Sequence, residues 1–405
     1  MKAELAKYLG LIGAAVAVAV VLTMWKKGDR EAAIKELEEK FSADVVISED
    51  EFHIGCSSER LVDLVAFASI VDRIGEPTII DLTGAPNLRS LAGFELIGSV
   101  KSLVAIDCPR LESVDGVAGH LSLEELVLTD SFGVTDVSAA RDLPRLKTLD
   151  FSGCVKLEEV ELEGLPSLEN LYLSRCRNLR EIDVGPVPQL RQLYLDGVSR
   201  LSEIKGLSQL GNLTDLDVSN ANQLAHLEGI GSLENLIVLD LRNVDMKSFE
   251  EIGQLPAIRI LRMGGQSHLE SLEPFSGLST LKEIHLEACP NFSSLAGLPA
   301  SVSQYAGFTF CPKLFSIQGI EVASGLEQLD LTGCRGLIDV SSLESLDNLV
   351  QLSLVKCRKV TDISPVIDLP NLVVVMLGGS GVDPGSIEAF DPANEQLFFD
   401  FTIGQ

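Results

Sequence analysis

The chain has 405 residues, with 32 Lys and Arg against 59 Asp and Glu, a formal charge of -27. That balance argues against a nucleic-acid partner, since phosphate binding draws on clustered Lys and Arg, and 46% apolar residues exclude a disordered chain. Eight cysteines without a C-x-x-C pair exclude a small disulfide-stapled domain and give no sign of zinc or dithiol redox chemistry.

The first 30 residues hold five basic residues (Lys2, Lys7, Lys26, Lys27, Arg30) and two acidic ones (Glu4, Asp29). Between Lys7 and Lys26 runs YLGLIGAAVAVAVVLTMW, 18 residues without a charge, with Tyr8 and Trp25 at its ends. As a helix it spans roughly 27 Å, close to the ~30 Å hydrocarbon core, and the end aromatics suit the two interfaces. Residues 1–28 are therefore predicted to be an N-terminal transmembrane anchor, with 8–25 in the bilayer. A cleaved signal peptide is the rival, although Ala15, Ala17 and Ala19 lie inside the apolar run, where a cleavage pattern is poorly placed. Five Lys or Arg follow the span within 15 residues and two precede it, which tilts the rest toward the cytosol. Long domains translocate largely regardless of charge, so the side stays open.

Residues 29–75 are predicted to form a juxtamembrane helix and an N-terminal cap. DREAAIKELEEKF (29–41) reads as the helix, ADVVIS (43–48) and EFHIG (51–55) as a strand pair, and SSERLVDLVAFASIVDRIG (57–75) as a capping helix with Leu61, Leu64, Val65, Ala68 and Val71 on one side.

From residue 76 to 385 the sequence repeats. KTLDFSGCVKL, ENLYLSRCRNL, EQLDLTGCRGL and VQLSLVKCRKV share the template L-x-x-L-x-L-x-x-C-x-x-L. Its C position recurs at Ala85, Cys108, Ser131, Cys154, Cys176, Val198, Ala221, Val244, Gln266, Cys289, Cys311, Cys334, Cys357 and Ser380, fourteen units with every step 22 or 23 residues. The chain here resembles the leucine-rich repeat family, whose pattern L-x-x-L-x-L-x-x-N/C-x-L it matches. The resemblance implies an α/β-type solenoid: a curved parallel β-sheet of about 14 short strands with an irregular or 3₁₀ convex side. The rhythm is similar to that of bacterial internalins and phosphatase-regulating repeat proteins. The period-two L-x-L agrees, since alternate residues point inward from a strand and no unit can bury its leucines without a neighbour. Residues 386–405 are expected to cap the far end through Ile387, Phe390 and the Phe398, Phe399, Phe401 cluster.

In the family the ladder position carries Asn or Cys, whose side chain donates to neighbouring carbonyls. Here it is Cys, Ala, Ser, Val and one Gln, which predicts weaker hydrogen bonding and more apolar burial. Seven of the eight cysteines sit there and read as structural thiols; disulfides between neighbouring turns, such as Cys154 with Cys176, or metal binding are the alternatives. A row of unpaired thiols suits a reducing compartment.

Function is expected on the concave face. The residue four before each ladder position forms a row in which Tyr172 and Tyr194 are neighbours, flanked by Asp150, Asp217 and Asp240, with Arg262 and His285 next. Aromatics beside charges suit a protein-binding patch; a solvated sheet that tolerates Tyr for strand propensity is the plain alternative. Catalysis has little support: H-E-x-x-H, G-x-x-x-x-G-K-S/T and G-x-S-x-G are absent, and the five histidines fall in different units, with His226 and His268 at exposed turns. Asp217 and Asp240 offer a Ca²⁺ pairing, although with so many acids in the domain chance juxtaposition explains it better. No cofactor or metal is expected. The reading is a membrane-anchored, non-catalytic protein-binding repeat domain with a basic or mixed-charge partner. A secreted or surface adhesion protein after signal removal is the first alternative, and an enzyme with an unrecognised site the second.

Overall fold

The computed structural model describes residues 29–47, 52–387 and 397–402. The predicted membrane segment 8–25 and Phe390 lie outside them. Among the described residues no helix is long and apolar enough to cross a membrane. The described residues divide into two compact units, those up to 156 with 163–165 and 157–162 with those from 166 on.

In the first unit residues 29–41 are helical (α1). Ala33, Leu37 and Phe41, spaced four apart, bury one side of it, and Phe41 meets Phe67 edge-on at 5.8 Å. Strand β1 (Asp44–Ile47) pairs antiparallel with β2 (Phe52–Gly55), as the sequence predicts. The other edge of β2 pairs in parallel with β3 (Ile79–Asp81), so the cap hairpin also opens the repeat sheet. That sheet continues through β4 (Ser102–Val104), β5 (Glu125–Val127) and β6 (Thr148–Asp150).

The capping helix is shorter than its apolar spacing suggests. It is α2, Val65–Ile74. Leu64 donates its N–H to Ala92 O at 2.9 Å, and the Asp63 carboxylate accepts the Val65 N–H at 3.0 Å. These bonds hold the chain in a turn, so Leu61 and Leu64 reach the core from outside the helix and Val65 faces solvent. Arg73 ties α2 to α1 through Glu36 at 2.6 Å and Asp29 at 3.2 Å.

The second unit repeats the strand and its return. Its strands are β7 (Asn170–Tyr172), β8 (Glu181–Asp183), β9 (Gln192–Tyr194), β10 (Glu203–Lys205), β11 (Asp215–Asp217), β12 (Val238–Arg242), β13 (Ile260–Gly264), β14 (Glu283–Glu287), β15 (Tyr305–Thr309), β16 (Gln328–Asp330), β17 (Gln351–Ser353), β18 (Val374–Met376) and β19 (Phe398–Asp400). All but two form one parallel sheet in chain order from β7 to β19. The exceptions, β8 and β10, pair with each other on the return side. Most other returns carry a single 3₁₀ turn, as their Gly and Pro content leads one to expect. A short helix α3 (Pro384–Ile387) follows β18. The far end is closed by β19 as an added strand, and Phe398 there is exposed rather than packed in an aromatic cluster.

The core is the L-x-L pairs and the ladder. Leu171, Leu173, Leu193 and Leu195 are fully buried, and so is the ladder residue of every unit before Ser380. All eight cysteines are free thiols and buried, so the alternative of disulfides between neighbouring turns is not realised. Burial pushes three of these thiols well up, to about 11 for Cys108 and Cys334 and about 12 for Cys357. They also bond more than expected. Cys108 Sγ donates to Leu82 O at 3.2 Å, Cys357 Sγ to Leu331 O at 3.0 Å, and Ser131 Oγ to Ala105 O at 2.8 Å. Gln266 does the most, donating to Leu241 O, Gly264 O and Val244 O and accepting the Met246 N–H.

Candidate binding face of the sheet

Strand alternation sends each central Leu inward and its two neighbours to the opposite face. Register then builds the predicted row in the second unit: Tyr172 beside Tyr194, Tyr194 beside Asp217, Asp217 beside Asp240, Asp240 beside Arg262 and Arg262 beside His285. Asp150 occupies the matching position in the first unit, on β6.

The two tyrosine rings stack with centroids 5.3 Å apart, and Tyr172 donates its hydroxyl to Gln192 Oε1 at 2.6 Å. The pair is thus held before any ligand arrives. Burial and the nearby Asp215 raise the Tyr194 phenol above its ordinary value.

The aspartates have a structural task that the sequence reading missed. Asp150 and Asp217 end their strands, Asp240 lies in the middle of β12, and each accepts the N–H two residues on: Asp150 from Ser152 at 2.7 Å, Asp217 from Ser219 at 2.8 Å and Asp240 from Arg242 at 3.0 Å. This is the local turn that Asp forms with its own backbone. The signal was present as D-x-S/T at Asp81, Asp150, Asp217, Asp330 and Asp400. Asp240 is also only 3% exposed, because the Arg242 guanidinium covers it, Nη2 to Oδ2 at 2.7 Å. It is therefore no open ligand, and the notion of a Ca²⁺ shared with Asp217 loses its second carboxylate. Asp217 is half-buried, and burial raises its carboxyl above the usual range.

With Asp240 taken by Arg242, Arg262 has no ion pair among the described residues. Beyond it His285 stacks on Tyr305 at 4.3 Å and bonds Glu283 Oε2 through Nε2 at 3.2 Å. Burial holds the His285 imidazole below its ordinary value. Tyr305 belongs to the other outward row, paired with Glu283 and Gln328. Its ring nevertheless crosses above Gly307, where a Cβ would meet the ring at 2.7 Å. Its hydroxyl points to Asp330 Oδ2 at 3.5 Å, and burial with that charge pushes the phenol up to about 12. Arg262, His285, Tyr305 and Asp330 line a shallow cleft of about 330 Å³. Among the described residues no three His, Cys, Asp or Glu are placed to hold a metal ion. His226 and His268 lie at exposed turns, as expected.

No protein-family model matches the sequence, and no curated protein does. Solved structures do. An internalin (InlF) of Listeria monocytogenes aligns with a TM-score of 0.61 at 18% identity over 77% of this chain and 89% of its own. TLR13, solved in complex with ssRNA13, aligns at 0.57 and 18% identity over 84% of this chain and 56% of its own. A leucine-rich repeat protein of Leptospira interrogans aligns at 0.54 and 17% identity over 82% and 80%. The fold is that of the leucine-rich repeat proteins. At such identities the likeness extends to the fold alone, and fold does not choose a ligand.

Proposed function

We propose that this chain is a membrane-tethered leucine-rich repeat domain that binds another protein, without catalysis, through the outward face of the sheet in its second unit. One observation carries the reading. Two preformed aromatic stacks, Tyr172–Tyr194 and His285–Tyr305, stand on that face on either side of Asp217 and the unpaired Arg262. Tyr194 and His285 are four strand steps apart, roughly 19 Å at the usual spacing. That span suits a protein surface better than a small molecule, and Tyr and Arg are the side chains that anchor interfaces. The acidic balance favours a basic or mixed-charge partner, with association slowing as salt rises. The tether rests on the uncharged run 8–25, whose basic flanks favour a cytosol-facing domain. The likeness to an internalin supports a second reading, a surface adhesion protein after signal removal.

The face is tested by replacing Tyr194 with the photo-crosslinker benzoylphenylalanine in cells, with exposed Glu344 as the control position. A discrete adduct at 194 that is missing at 344 and lost in a Tyr172→Ala background is the expected result. Identical adducts at both positions, or none at 194, would overturn the reading.

A further inference from the structure

A second surface of the same unit has the opposite chemistry. Three successive turns, residues 310–315, 332–338 and 355–361, contain Lys313, Arg335, Lys356, Arg358 and Lys359 and no carboxylate. In a chain of charge -27 this is a local reversal. The turns stack directly: Phe310 donates its N–H to Thr332 O at 2.7 Å, Gly333 to Val355 O at 2.7 Å and Lys356 to Gly378 O at 2.9 Å. All five cations are exposed. Among the described residues none has an ion pair, and Lys313 bonds only the neutral Asn291 Oδ1 at 2.7 Å. The next carboxylates along the chain, Asp339 and Asp362, are occupied by the N–H groups of Ser341 and Ser364.

The same turns expose apolar groups. Phe310 is 46% exposed, Phe315 53% and Ile338 57%. Phe310 has φ +54°, at a turn position where most units place Gly, Asp or Asn, and a bulky side chain there works against the backbone. Its ring lies over Gly333 and that of Phe315 over Gly336, where a Cβ would meet the ring edge. The result is a run of exposed apolar groups among unpaired cations, which meets the cleft of Arg262 and Tyr305 at Phe310.

We propose that this edge docks on an anionic lipid surface, its cations against the headgroup phosphates and Phe310, Phe315 and Ile338 at the headgroup boundary. Lys and Arg near a negatively charged leaflet are attracted to it, and aromatic and aliphatic groups beside them partition into the interface. Five exposed cations without a carboxylate among them match the charge of an anionic headgroup layer. The availability of a bilayer rests on the tether proposed above.

The test uses the full chain carrying Ile338→Cys, labelled with an environment-sensitive fluorophore while the native thiols stay buried, and Glu344→Cys as the control. The protein is reconstituted in phosphatidylcholine vesicles and in vesicles with added phosphatidylserine. Quenching of the Ile338→Cys label by spin-labelled lipid should be several-fold stronger in the anionic vesicles, and weak at the control position. Arg335→Glu/Arg358→Glu/Lys359→Glu should abolish the difference, and Phe315→Ser should reduce it, with circular dichroism unchanged in both. Equal quenching in the two lipids, survival of the signal after charge reversal, or the same response to polyglutamate without lipid would each overturn the proposal. A chain that does not float with neutral vesicles after carbonate washing refutes the tether alone, and the edge is then read by adding that soluble chain to the anionic vesicles.

Discussion

Gln266→Leu removes the most heavily bonded residue of the ladder at nearly constant volume. Gln266 is completely buried; its two amide N–H groups are shared among the carbonyls of Leu241, Val244 and Gly264, and its Oε1 accepts the N–H of Met246. A net bond contributes about 0.5–1.5 kcal/mol, so two donated and one accepted set an upper range of ~4.5 kcal/mol. Each backbone group keeps a second partner, however: Leu241 O receives Val244 N–H, Gly264 O receives Asn243 N–H, and Met246 N–H reaches Val244 O. None is left orphaned, which places the cost at the low end, about 2–3 kcal/mol. Gln266→Cys, the residue most used elsewhere in the row, keeps one donor and should cost about half as much. Urea unfolding checks the midpoints, and hydrogen exchange at the Met246 amide reads the local loss without assuming a two-state transition. A Gln266→Leu protein as stable as the parent, with an unchanged Met246 exchange rate, would refute the reasoning.

Tyr172→Ala with Tyr194→Ala should weaken partner binding at least tenfold while costing about 1 kcal/mol of stability or less, since both rings lie on the outward face; unchanged affinity for the crosslinked partner would count against the face. His285 and His120 both have imidazoles held low by burial. Above about pH 6.5 neither the folded nor the unfolded chain protonates them. As the pH falls through that value the unfolded chain takes up protons that the folded chain refuses, so stability drops, and NMR titration should find both midpoints below the free value. The eight buried thiols should react with a maleimide only on unfolding. An exposed Glu344→Cys then reports sidedness: labelling in intact cells puts the repeats outside, and protection until permeabilisation puts them in the cytosol.

The repeat was legible because its signal is arithmetic. The L-x-L alternation and the 22 or 23-residue step place fourteen strands and a buried ladder, and register follows from stacking. What the template does not contain is the competition for each side chain. Asp150, Asp217 and Asp240 looked like ligands because they face outward at a fixed position, yet each is needed by the backbone two residues ahead. Tyr305 is absent from the predicted row because its Cα lies in the neighbouring one, and only Gly307 lets the ring cross. The predicted capping helix is longer than α2 because Leu61 and Leu64 keep a helical spacing while their backbone bonds belong to a turn. Gln266 looked like a weakened rung because the template treats its position as one group, whereas a longer amide can reach several carbonyls.

Arg242 decides whether Arg262 is free. Asp240 stands between them, since its register neighbour on β13 is Arg262 while its carboxylate is bound from its own strand by the Arg242 Nε at 3.0 Å and Nη2 at 2.7 Å. Arg242→Ala uncovers a carboxylate that is still held by the residue 242 N–H, and the nearest unpaired cation is Arg262. Re-pairing returns part of the lost charge-assisted bonding, so the net cost should be about 1–2 kcal/mol rather than the larger penalty of an orphaned buried charge. It should also withdraw Arg262 from the cleft and weaken partner binding. Adding Asp240→Ala to Arg242→Ala releases Arg262 again, so binding should recover in the double variant although stability does not return to that of the parent. A double variant that binds as poorly as Arg242→Ala would show that Arg242 itself contacts the partner, and that the freedom of Arg262 is not what the arrangement protects.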